Sequence, residues 1–269
     1  MAVNPIIWVA IGLFLLGMAY DKRAKELSAA GWVIFGLFWT LRFPIYYYET
    51  HSLIKSALAI LALPASLYVA YLMFSNERED HTNTLIRLSQ AVAAMALIYL
   101  PFLMVESLGN LLIEHTAAQE YRLLSFLGVN AELTQTSDGL RRLFVVTNPA
   151  TGEVYRTRII LACTGMGSIA IFGGLITAIR APLTSKLKAF AVSIPVIYVL
   201  NLVRNAFITT AYGYQWFTFG ENTINSFFGE SQGYASFFWA DKVISQIMDL
   251  LDDVLEMFGF QPVSKAAET

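Results

Sequence analysis

Three residues in the second half of the chain can do chemistry that the apolar sequence around them cannot. Cys163 carries a thiol, and Arg204 and Lys242 are cations set in long apolar runs, in the contexts Ala162-Cys163-Thr164-Gly165, Asn201-Leu202-Val203-Arg204-Asn205 and Ala240-Asp241-Lys242. A thiol becomes a useful nucleophile as its thiolate, which nearby positive charge stabilises. An arginine beside it can donate hydrogen bonds to the oxyanion formed when a thiolate attacks an amide carbonyl. The set therefore points to acyl transfer through a cysteine. Cys163 is the candidate nucleophile, Arg204 the stabiliser of thiolate and oxyanion, and Lys242 the third member. Asn201, Asn205 and Asp241 are the candidate supporting partners; Asn201 lies three residues before Arg204 and shares its helical face, which places it ahead of Asn205.

Each assignment has a plainer structural counterpart. A lone cysteine in a helix commonly packs as a small inert residue. Arg204 can reach an interface or pair with an acid such as Asp241, since an unpaired arginine within a span costs several kcal/mol. Lys242 can extend outward in the same way. Ser168 offers a hydrolytic alternative but has no flanking GxSxG or SxxK pattern. His51, His81 and His115 are scattered and no CxxC occurs, so neither a metal site nor a cofactor is expected, and a single cysteine excludes an intramolecular disulfide.

The elements that must position these residues are membrane helices. Of 269 residues, 56% are apolar and only 14% charged, against about 25% charged in soluble domains. A hydrocarbon core of ~30 Å takes roughly 20 helical residues. Runs of that kind lie near residues 4–20, 29–48, 53–74, 85–105, 158–179, 189–212 and 233–250. The expected fold class is an all-α polytopic membrane protein with about seven transmembrane helices. The last run contains Asp241 and Lys242 and passes into an acidic stretch, Asp249, Asp252, Asp253 and Glu256, which reads as a solvated helix face. The first run lacks a basic flank and a small-residue cleavage site before Asp21, so it reads as a retained helix rather than a signal peptide.

Basic residues in the short connections set the orientation. Lys22, Arg23, Lys25, Arg78, Arg87, Arg180, Lys186 and Lys188 fall on one face if the spans alternate, whereas the connection near residues 49–52 has only Lys55 beside it. The N-terminus is then extracytoplasmic. With ~1.5 Å of rise per residue, Cys163 lies about a turn below the outer end of its span, and Arg204 about 22 Å along a span that began inside, so both belong to the outer half of the bilayer. Lys242, near the start of an inward-running helix, has similar depth.

The chain divides into an N-terminal four-helix membrane region (1–105), an insertion (106–157), a catalytic three-helix region (158–258) and a tail (259–269). The insertion is extracytoplasmic under this orientation. It begins with an amphipathic stretch, Leu108, Leu111, Leu112, Glu114, His115, Tyr121, Leu123 and Leu124, suited to lying along the interface. A small β-hairpin follows, with Leu140 to Thr147 and Glu153 to Ile159 around the turn Asn148-Pro149-Ala150-Thr151-Gly152.

The Ala162-Cys163-Thr164-Gly165 segment, then Asn201-Leu202-Val203-Arg204-Asn205, then a charged position near the start of a last helix, resembles the exosortase and archaeosortase family, and within it the archaeosortase A branch. The resemblance implies a membrane-embedded cysteine transpeptidase of the archaeal plasma membrane. Its partners are surface proteins bearing a C-terminal sorting signal, made of a Pro-Gly-Phe type motif, a transmembrane helix and a basic cluster; a membrane lipid is the acceptor of the new C-terminus. Cys163 matches the family nucleophile and Arg204 its first arginine. The third family position is histidine or arginine, and Lys242 stands there here. That keeps the charge but loses the planar guanidinium fork. A net charge of -2 leaves no basic surface for nucleic acid. The alternative class is a small anion carrier or membrane scaffold, with Arg204 and Lys242 as the anion site and Cys163 incidental.

Overall fold

In hydrocarbon every backbone N–H and C=O has to be satisfied inside its own segment, so long apolar runs become helices. The structure, a computed structural model, describes residues 5–49, 53–75, 79–228 and 233–244. Arg78, His51, and the acidic run Asp249, Asp252, Asp253 and Glu256 lie outside the described residues, as does the side chain of Lys55. The chain opens with α1 (Pro5–Ala19), a short 3₁₀ turn, α2 (Ala24–Leu41), a π turn (Ile45–Glu49), α3 (Leu53–Ser75) and α4 (Glu79–Met104). Then come α5 (Glu106–Phe126) and the strands β1 (Ala131–Gln135), β2 (Arg141–Thr147) and β3 (Val154–Arg158). A 3₁₀ turn (Leu161–Thr164) precedes α6 (Met166–Ala178) and the long α7 (Leu183–Gly213). The described chain ends in α8 (Glu221–Phe228), α9 (Tyr234–Phe237) and a π turn (Phe238–Ile244).

Four helical stretches among the described residues are long and apolar enough to cross a membrane: Ala24–Tyr48, Ser56–Ser75, His81–Met104 and Leu183–Gly213. Pro5–Ala19 and Met166–Ala178 are apolar but shorter. The run expected as one span at 158–179 holds only 13 α-helical residues. Arg158 still belongs to β3, residues 161–164 form the 3₁₀ turn, and Gly165 takes φ 75°, a left-handed conformation that stops an L-residue helix. Cys163 therefore sits on a turn ahead of a helix, not a turn down inside one.

The chain forms two compact units. The first, Met1–Gly109 with Met166–Ile197, is a helix bundle centred on Ile11, Phe14, Trp32, Met73, Ala93 and Leu100. Trp32 Nε1 donates to Ser89 Oγ at 2.8 Å, satisfying a polar handle that burial would otherwise orphan. Gly174 of α6 packs so closely on α4 that a Cβ there would overlap the Ala91 carbonyl. Small residues at such crossings let helix backbones approach, the usual basis of packing where no hydrophobic drive separates helix from lipid.

The second unit, Asn110–Gly165 with Tyr198–Thr269, holds α5, the sheet, the 3₁₀ turn and the C-terminal part of α7. Its sheet is antiparallel with order β1-β2-β3, one strand more than the expected hairpin. β1 escaped notice because Ala-Glu-Leu-Thr-Gln carries little β-branched or aromatic signal; pairing with β2, from Ala131 against Val146 to Leu133 against Phe144, holds it in place. β2 and β3 join at the expected turn, where Asn148 Oδ1 accepts from the Ala150 amide at 2.9 Å. Phe144 and Val146 point from β2 into a cluster with Ile113, Ala117, Leu124, Ile159 and Ala206. α5 thus buries a stripe, Ile113, Ala117, Glu120 and Leu124, at the spacing of one helical face. That face packs into the protein, while Leu108, Leu111 and Tyr121 of the expected amphipathic stretch stay exposed.

Candidate active site

The 3₁₀ turn that carries Cys163 is built locally. The Cys163 amide donates to the Ile160 carbonyl at 2.8 Å, and Thr164 Oγ1 donates to the Leu161 carbonyl at 2.8 Å. Gly165 closes the turn. A Cβ on that residue would lie 3.2 Å from the Asn201 side chain, so the glycine gives both the backbone conformation and the room for α7 to come close.

α7 holds the turn from the other side. Asn201 Nδ2 and Asn205 Nδ2 both donate to the Cys163 carbonyl, at 2.7 and 2.6 Å. The two asparagines are four residues apart and so share one face of the helix. A carbonyl oxygen has two lone pairs, and both are engaged. The sequence favoured Asn201 over Asn205 because of its angle to Arg204. What matters is their angle to Cys163, and there the two act as a pair, Asn205 being the more buried at 5% exposure.

Arg204 lies in the same turn of α7. Its Nη2 donates to Asp241 Oδ1 at 2.7 Å, an ion pair that joins α7 to the π turn Phe238–Ile244. Its Nε is buried and has no hydrogen-bond partner among the described residues. A buried guanidinium N–H without an acceptor is costly, about 1–3 kcal/mol or more for a charged group. Such a donor can hydrogen-bond an anion. Arg204, Asp241 and Glu120 all act electrostatically on Cys163, whose half-buried side chain packs against the Phe144–Ala206 cluster.

The backbone of Lys242 follows Asp241 in the π turn, and its side chain lies outside the described residues. Ser168 is an exposed residue of α6. Sequence reading missed Glu120 and Thr209. Glu120 is fully buried, and its Oε1 accepts from Thr209 Oγ1 at 2.7 Å. The available signals were spacing alone: Glu120 falls on the apolar stripe of α5, and Thr209 continues the four-residue ladder Asn201, Asn205 on α7.

Against known proteins, the model of the transmembrane exosortase family matches residues 1–240, which contain Glu120, Cys163, Asn201, Arg204, Asn205 and Thr209 and end just before Asp241 and Lys242. The chain belongs to that family. It is 37% identical over 256 residues to archaeosortase A of Natronomonas pharaonis, covering 91% of this chain and 79% of that protein. It is 38% identical over 256 residues to archaeosortase A of Haloferax volcanii, covering 90% of this chain and 82% of that one. No solved structure matches it. Family membership and the apolar helices make the chain a multi-pass membrane protein.

Proposed function

We propose that the protein is a membrane-embedded cysteine transpeptidase that processes archaeal surface proteins at a C-terminal sorting signal. That signal comprises a Pro-Gly-Phe type motif, a transmembrane helix and a basic cluster, and the new C-terminus passes to a membrane lipid. One observation carries the reading. The Cys163 backbone is fixed by Asn201 and Asn205 next to Arg204, whose buried Nε has no partner among the described residues. The family relationship supports it.

In this mechanism the Cys163 thiolate attacks the scissile carbonyl and Arg204 Nε donates to the resulting oxyanion while Asp241 keeps the guanidinium in place. Collapse of the tetrahedral intermediate breaks the C–N bond and leaves a thioester on Cys163. Lys242, in the family's third position, holds negative charge or protonates the leaving amine. A nucleophile on a lipid headgroup then takes the acyl group, a transfer that a dry site favours over hydrolysis. The active site sits near the outer leaflet, seven spans cross the bilayer from an extracytoplasmic N-terminus, and residues 106–157 lie outside the membrane.

The test is processing of a signal-bearing surface protein in membranes. Cys163→Ser lowers the rate by on the order of 10⁴-fold or more; processing at the wild-type rate would remove Cys163 from the mechanism. Lys242→Ala and Lys242→Arg test the third position separately, and full activity in both would dismiss it.

A further inference from the structure

We infer that Glu120 is the proton acceptor of the Cys163 site, an inference that rests on the thiol mechanism above. Glu120 lies on α5, in the insertion outside the membrane-spanning segments, and is 0% exposed. An ionised carboxylate has about four acceptor sites. Here Oε1 accepts one hydrogen bond, from Thr209 Oγ1 at 2.7 Å, and Oε2 is buried with no partner among the described residues. Structural carboxylates in protein interiors are usually paired or fully hydrogen-bonded. This one is held by one oxygen and left open at the other.

Its surroundings tie it to Cys163. Ala117 and Leu124, three residues before and four after Glu120, belong to the cluster against which Cys163 packs. Thr209 stands four residues after Asn205, which stands four after Asn201, so one face of α7 holds the Cys163 carbonyl with two rungs and Glu120 with the third. Among the described residues, Glu120, Asp241 and Arg204 are the charged groups that act on Cys163, and Tyr214, just after α7, packs against the same cluster. Of the two carboxylates that act electrostatically on Cys163, Asp241 is engaged by Arg204, and Glu120 is the one with an oxygen lacking a partner.

The step balances without a further reagent. The Cys163 S–H bond breaks and its proton passes to the Glu120 carboxylate, directly or through one water, while the S–H electron pair stays on sulfur and forms the S–C bond to the scissile carbonyl. When the C–N bond breaks, the departing nitrogen takes a proton from neutral Glu120, which leaves Lys242 the other of its two roles, holding negative charge, and returns Glu120 to its starting state for the second half-reaction. Burial pushes the Glu120 carboxyl up to about 7 from its ordinary 4.5, opposed by the Thr209 hydrogen bond. A group that titrates there can both accept and return a proton at neutral pH.

The experiment is the pH dependence of substrate processing in membrane vesicles, from about pH 5.5 to 8.5, for wild type, Glu120→Gln, Thr209→Val and Cys163→Ser. The wild-type rate rises along an acid limb with its midpoint near 7. Glu120→Gln keeps the shape and an acceptor for Thr209 but cannot take a proton, so the limb disappears and the rate falls about 10²- to 10⁴-fold. Thr209→Val removes a donor that favours the ionised carboxylate, and the limb moves up by roughly one pH unit. A Glu120→Gln profile that keeps the wild-type limb, at any rate, would overturn the inference and leave the thiol mechanism standing. If Glu120→Gln does not accumulate in membranes, an unmoved limb in Thr209→Val overturns it instead. Wild-type processing by Cys163→Ser would remove the thiol mechanism and this inference together.

Discussion

Removing the two asparagines that hold Cys163 tests how much of the site's work is positioning. The Cys163 carbonyl receives hydrogen bonds from Asn201 and Asn205 at 2.7 and 2.6 Å. A neutral hydrogen bond contributes about 1 kcal/mol net, so Asn201→Ala or Asn205→Ala alone leaves the other donor in place and slows processing about 5-fold. The double variant loses both, about 2 kcal/mol, and leaves the carbonyl with no side-chain donor among the described residues, so that desolvation adds about 1–3 kcal/mol. The sum is about 3–5 kcal/mol, or roughly 10²- to 10⁴-fold. That exceeds the product of the single effects by about 5- to 150-fold, because either asparagine alone still anchors the turn. The assay is the initial rate of signal removal from a surface-protein substrate in vesicles, normalised to the amount of enzyme in the membrane. A double variant no slower than the product of the singles, or one silent single beside one that abolishes activity, would refute the idea that the pair acts as a unit.

Gly165→Ala combines a left-handed φ of 75° with a methyl 3.2 Å from Asn201, at a cost of about 1–2 kcal/mol in backbone strain; activity falls at least about 10-fold with the protein still in the membrane, and unchanged kinetics would contradict the close approach. Asp241→Asn removes the anion that fixes Arg204 at 2.7 Å. The expected loss is about 10-fold or more in processing, and Arg204→Lys, which keeps the charge but not the fork, loses more. Gly213→Ala sets a methyl against Val146 in the cluster that supports the site, and lowers stability by about 1–3 kcal/mol, with Val146→Ala restoring part of it in a thermal-shift measurement. Stability should also depend on pH through Glu120. Its folded-state value of about 7 lies above the ordinary 4.5, so the folded protein holds a proton that the unfolded chain releases. Stability then declines by about 3 kcal/mol as pH rises from roughly 4.5 to 7, and Glu120→Gln flattens that slope.

What could be read from sequence was what stands out against an apolar background. Cys163, Arg204 and Asp241 are polar residues in long hydrophobic stretches, and an arginine in such a stretch calls for an acid; Asp241 supplies it. The helical class was equally plain from composition. The break ahead of α6 was not, because hydropathy does not register that Gly165 adopts a left-handed conformation, and a run of apolar residues reads as continuous helix. β1 was hidden for the opposite reason: Ala131–Gln135 has no strand signal of its own and exists through pairing with β2. Glu120 was missed because a glutamate on an amphipathic helix is ordinarily solvated. It is buried on the same face of α5 as Ala117 and Leu124, which cluster with Phe144 and Val146, a tertiary fact that spacing can hint at and only the fold can establish.

The most direct test is to stop the reaction with its acyl group attached. Brief incubation of wild-type membranes with a signal-bearing substrate, acid quenching and mass spectrometry of the Cys163 peptide should reveal a hydroxylamine-labile thioester to the substrate's truncated C-terminus. Efficient signal removal with no such adduct at any time point, and with Cys163→Ala processing as fast as wild type, would contradict the account at its root.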